Sequence, residues 1–158
     1  MFDVAEMFFH IVTPQMFDVI SALLIITFIQ WELPRTVKLL DEEYTNDVYP
    51  ETGRVIDIIL FLIGIGAMFV LYQGNNMAKM ITLLHNTYLM LIFIPVMIVI
   101  PLMIFLGYFK RFFARMDQHK SLTVFMVQST LDFGHTLFFV SLVLLLVPAL
   151  LFLVLAGF

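Results

Sequence analysis

LFFVSLVLLLVPALLFLVLA, residues 137–156, is twenty consecutive residues without a charge. An α-helix rises about 1.5 Å per residue, so a run of that length crosses the roughly 30 Å hydrocarbon layer of a bilayer. Runs nearly like it, with charges only near their ends, occupy residues 14–33, 54–73 and 84–109. In hydrocarbon every backbone polar group must be bonded within the protein, which favours helices for spans of this length. The pattern predicts an all-α fold, a polytopic transmembrane bundle of four helices with a short N-terminal interfacial helix over residues 2–12. Residues 110–133 are expected to form an interfacial or amphipathic segment ahead of the last span.

Composition agrees with that reading and narrows the chemistry. The 158 residues are 62% hydrophobic with a mean hydropathy of +1.04, well above the roughly 45–50% apolar content of soluble domains. Four spans in a chain this short leave no room for a soluble catalytic domain, so residues 1–158 are read as one integral membrane unit. The net charge of −4 offers no large basic face, which argues against nucleic acid as a partner. Cysteine is absent, which removes disulfides, thiolate catalysis, iron–sulfur ligation and Cys-based zinc sites together. The sequence Met1-Phe2-Asp3-Val4-Ala5-Glu6 has acid where a signal peptide needs Lys or Arg, and no small-residue cleavage site follows, so this segment is expected to be retained.

Local signals set the boundaries. Thr13-Pro14 reads as a helix N-cap followed by a first-turn proline, Trp31 as an interfacial anchor, and Pro34 as the stop of the first span. Gly64-Ile65-Gly66-Ala67 puts small residues in the second span, where Gly64, Gly66 and Ala67 are expected to let another helix approach closely. Gly74-Asn75-Asn76 is a turn. Pro95 and Pro101 lie inside the third span and are expected to bend it. A last helix running from Leu122 to the C-terminus is about 55 Å long at helical rise, too long for one perpendicular crossing. Its first part must tilt, protrude or lie in the interface.

Basic residues set the expected orientation. Arg35, Lys38 and Arg54 flank the first loop, Lys79 sits in the second, and Lys110, Arg111, Arg115 and Lys120 occupy the third. The positive-inside rule then places the first and third loops in the cytoplasm and both termini outside the cell membrane.

The ionisable residues near the spans are the candidates for function, because an ion at the centre of a membrane helix costs about 2.5–3.5 kcal/mol on insertion scales. Asp57 lies one turn from the cytoplasmic end of the second span and Asp18 one turn from the external end of the first. Ser121, Gln128, Asp132 and His135 follow one another at spacings of seven, four and three residues, which puts them in one narrow stripe of the last helix. Such a seam should face protein or water. With Asp57 at the same depth, an Asp57–His135–Asp132 cluster is possible, as a polar seam holding helices in register, a proton or ion path, or a metal or substrate site. Asp3, Glu6 and His10 also share one side of a short helix at metal-ligand spacing, a pattern that a surface amphipathic helix shows equally well. His85 and His135 belong to opposite ends of the bundle and cannot clasp one haem iron. No cofactor is predicted beyond the metal ion that Asp3, Glu6 and His10 or Asp132 and His135 would hold.

Glycine-rich phosphate loops, nucleophile elbows and potassium selectivity filters are absent from the sequence. The leading expectation is therefore a non-catalytic integral membrane subunit, an accessory, scaffolding or assembly component of a larger complex such as an energy-transducing one. Its partners would be membrane lipids and other transmembrane subunits. The alternative is a small oligomeric channel or transporter conducting protons or cations through Asp57, Asp132 and His135, with Asp18 at the external end. A metal- or cofactor-dependent membrane enzyme is the second alternative.

Overall fold

A computed structural model describes residues 13–37, 51–118 and 121–156. Among them the chain forms five helices and no strand: α1 (Pro14–Val37), α2 (Glu51–Tyr72), α3 (Asn76–Leu84), α4 (Thr87–Met116) and α5 (Leu122–Leu155). All but the nine-residue α3 are long and apolar enough to cross a membrane. The protein is a multi-pass helical membrane protein. The interfacial helix expected over residues 2–12, and with it the Asp3, Glu6 and His10 group, lies outside the described residues.

Capping chemistry explains where the helices start and stop. The Thr13 hydroxyl accepts from the Met16 amide at 3.4 Å, satisfying one of the donors that a helix start leaves over. Pro34 does not end α1, which runs on to Val37; so close to a helix end, a proline sacrifices a single backbone hydrogen bond. At the far end of α2 the Asn76 amide donates to the Val70 carbonyl at 2.9 Å, and Gly74 turns the chain at φ +57°, a left-handed conformation that glycine adopts without strain.

The third span begins later than the hydropathy suggests. His85 and Asn86 close α3 by bonding back to Ile81 and Leu83, and the Asn86 side chain then caps α4 by accepting from the Tyr88 amide at 3.1 Å. From there α4 runs without interruption through Pro95 and Pro101. The segment 110–133 is divided between two long helices. Its first residues extend α4 to Met116, and residues from Leu122 onward are the first turns of one 34-residue helix, α5.

α5 is the axis of the molecule. It packs against α1, α2 and α4, whereas α4 meets only α5 and the short α3 to any extent. The core follows the contacts of α5, with Phe17, Leu24 and Trp31 of α1, Leu71 of α2 and Met80 of α3 gathered around Phe138 and Leu145. Phe28 and Phe61 stack at 3.9 Å between ring centres and lock α1 to α2. Gly64 is the point of closest approach: a β-carbon there would stand 2.7 Å from Leu24 and 3.1 Å from Leu142. Ala67 is buried on the same face. Gly66 turns the other way, where an added β-carbon would meet nothing within 4 Å among the described residues. On the side where α4 stands off from α1, an apolar cavity of about 330 Å³ is lined by Phe17, Ile20, Leu84, Met90, Phe93 and Met97, among others.

Candidate functional site

The polar side chains gather at the two ends of the bundle. α1 and α5 both have their expected ionisable residues near the loops, and the antiparallel order of the helices puts the end of α1, the start of α2, the end of α4 and the start of α5 together. Four ion pairs form there among the described residues. Arg54 of α2 reaches Glu32 of α1 at 3.0 Å. His135 Nε2 lies 3.5 Å from Asp57 Oδ1, at the long limit of a hydrogen bond. Asp132 is the most heavily bonded of the acids. Arg111 Nε donates to both of its carboxylate oxygens at 3.2 and 3.1 Å, and Arg115 Nη1 donates to Oδ2 at 3.1 Å.

The cluster expected from sequence is therefore half formed. Asp57 and His135 do meet, across 78 positions of sequence. Asp132, one turn from His135, turns instead to the two arginines of α4. Burial explains the choice, since the Asp132 side chain is only 4% exposed and a carboxylate that deep needs charge-assisted donors. Two guanidiniums supply them better than one imidazole. Gln128, one turn before Asp132 on α5, is buried as the polar stripe predicts, and Ser121 at the head of the stripe is exposed.

Trp31 sits inside rather than at the interface. It is 1% exposed, and its ring lies 4.3 Å, centre to centre, from the His135 imidazole. Phe139 approaches the other side of that imidazole edge-on at 4.7 Å. These two aromatic walls fix His135 in the position from which it faces Asp57.

Arg111, Arg115, Glu32 and Trp31 are the site residues that sequence reasoning missed. The two arginines were assignable to a loop because they follow the apolar run. Their signal was the four-residue spacing on a helix that simply continues, which aims both at the same neighbour.

At the opposite end, Tyr72 of α2 donates to Asp18 Oδ1 at 2.7 Å, with the Ser21 hydroxyl 3.4 Å from the same phenol oxygen. Asp18 is thus a tie between α1 and α2. Between the two ends the interior is apolar. Leu24, Leu71, Phe138, Leu142 and Leu145 fill it, and the hydroxyls of Thr27 and Ser141 donate to carbonyls of their own helices.

A cavity of about 510 Å³ opens beside the polar cluster, between α4 and α5. Arg111, Arg115, Asp132 and His135 form its polar side, and Met103, Ile104 and Phe139 its apolar side. For a metal the donor set is poor. Among the described residues no three His, Asp or Glu side chains converge, and the Asp132 oxygens are already engaged by two cations. Comparison of the chain with protein-family models, curated proteins and solved structures finds no match.

Proposed function

We propose that the chain is a non-catalytic subunit of a larger membrane complex, serving assembly or scaffolding, with its basic end in the cytoplasm and both termini outside the cell membrane. The observation that carries this reading is the position of α4, whose open side lipid or a partner helix must cover. It is a full span, held by α5 and α3 along one side, with Leu91, Ile92, Leu102, Met103 and Leu106 all more than half exposed. A second line of support comes from Gly66, a small residue on the outer face of α2 beside the exposed Leu62 and Phe69, the arrangement that lets a foreign helix come close. The basic residues at the shared end of α2, α4 and α5 support the orientation.

The channel reading has less support. A path within one chain would have to pass the apolar layer of Leu24, Leu71, Phe138 and Leu142 between Asp18 and Asp57. Enzymatic chemistry would need groups free to act, whereas Asp57, Asp132 and His135 are engaged with one another or with arginine.

Extraction in mild detergent, followed by blue-native electrophoresis and mass spectrometry of the band, tests the proposal. Distinct partner polypeptides should co-migrate with the chain. Migration as a lone monomer would overturn it. A homo-oligomer that conducts ions in proteoliposomes, with conductance lost in Asp57→Asn, would replace it with the channel reading.

A further inference from the structure

We infer that the cavity between α4 and α5 binds the phosphate-bearing headgroup of an anionic membrane lipid, through the guanidiniums of Arg111 and Arg115. Charge is the first argument. Among the groups that line the cavity, two guanidiniums face the single carboxylate of Asp132, so fixed cations outnumber anions there two to one. The remaining ionisable lining group, His135, is already paired with Asp57 of α2.

Unused donors are the second argument. Arg111 spends only its Nε on Asp132, and Arg115 only its Nη1. The other N–H groups of both guanidiniums have no partner among the described residues. They line the cavity with the planar donor geometry that suits phosphate oxygens.

Depth is the third. Arg111 lies 24 residues beyond Thr87, the start of α4, or about 36 Å along the helix axis. That exceeds the roughly 30 Å of hydrocarbon and puts the guanidinium at headgroup level. Ile104 and Met103 lie about 10 Å deeper on the same helix, and Phe139 lies two turns beyond Asp132 on α5. A polar mouth over an apolar floor fits an amphiphile with an acyl chain, whereas a free phosphate ion would leave the apolar floor unused. Basic pockets between membrane helices commonly take such headgroups. The site needs no protein partner, so it stands or falls independently of the subunit reading.

The test uses the full chain in nanodiscs of equimolar phosphatidylglycerol and phosphatidylcholine, released for native mass spectrometry. The wild-type protein should retain one phosphatidylglycerol in preference to phosphatidylcholine. Arg111→Gln with Arg115→Gln should weaken that retention about tenfold or more, given the contribution of each basic residue near an anionic lipid. Because this pair of changes strands Asp132, a triple variant adding Asp132→Asn keeps the test sound, and it should lose the lipid while remaining folded by circular dichroism. Lys110→Gln, at the same end but outside the cavity, should change retention less than twofold, roughly the effect of one exposed charge. Equal retention of both lipids, retention by the triple variant, or an equal loss in Lys110→Gln would overturn the inference. Displacement of the lipid by millimolar inorganic phosphate would also overturn it, by making the site one for the free anion.

Discussion

Helices α4 and α5 are nearly matched in length and apolar content, yet the rest of the chain buries 6% of the most apolar stretch of α4 and 44% of that of α5. In water such a pair would be expected to share one fate, because apolar surface there seeks cover. In a bilayer lipid covers apolar side chains as well as protein does, so the preference falls to small and polar residues. α5 carries Gln128, Ser129, Asp132, Thr136 and Ser141 within its first twenty residues, and all are buried. α4 carries few such residues before its final turns, where Arg111 and Arg115 grip Asp132. One helix is packed by protein on several sides. The other lies against α5 and α3 along one side and makes its ion pairs at its end.

That contrast breaks first at the grip itself. Replacing Arg111 and Arg115 together by Ala should destabilise the protein by about 3–5 kcal/mol, because Asp132 is left buried without a counter-charge. Unfolding in mixed micelles by increasing SDS would measure it, and a cysteine cross-link between α4 and α5 should fall with it. Truncation along the two helices comes next. Phe138→Ala on α5 should cost about 3 kcal/mol, the low end of the soluble range because lipid solvates the unfolded helices. Leu91→Ala on α4 should stay within about 0.5 kcal/mol in the same assay. Equal costs at the two positions would dissolve the contrast.

The glycines of α2 offer a third test on a single helix. Gly64→Leu forces a side chain against Leu24 and Leu142 and should cost about 1–3 kcal/mol. Gly66→Leu faces open space and should leave the stability of the isolated chain unchanged, while weakening recovery of the complex if a partner helix lies there. A smaller cost than at Gly64 is expected at the far end, where Tyr72→Phe removes the donor to Asp18 and should cost about 0.5–1.5 kcal/mol.

Much of this architecture is legible in the sequence because each signal is local. The four spans follow from run length, the start of α1 from Thr13-Pro14, and the turn after α2 from Gly74. The buried stripe of Gln128 and Asp132 is readable from helical periodicity alone. Partner choice is another matter. Nothing local to Asp132 says that arginines 21 and 17 positions earlier will outcompete a histidine one turn away. Trp31 reads as an interfacial anchor because its position near a span end is visible and the imidazole it covers is not. Gly64 and Gly66 look alike in sequence. Only the direction of α1 and α5 tells which of them is crowded.

The central place of α5 also bears on how the protein is made. Helices leave the ribosome in chain order, and α1, α2 and α4 enter the bilayer before the helix against which each of them packs. Until α5 follows, α1 and α2 have only the contacts between themselves, such as Phe28–Phe61 and Arg54–Glu32, while Asp57 lacks its imidazole and the arginines of α4 lack their carboxylate. The packing centred on α5 thus forms only after the earlier spans are inserted, and that interval is when a quality-control protease would find those spans most accessible.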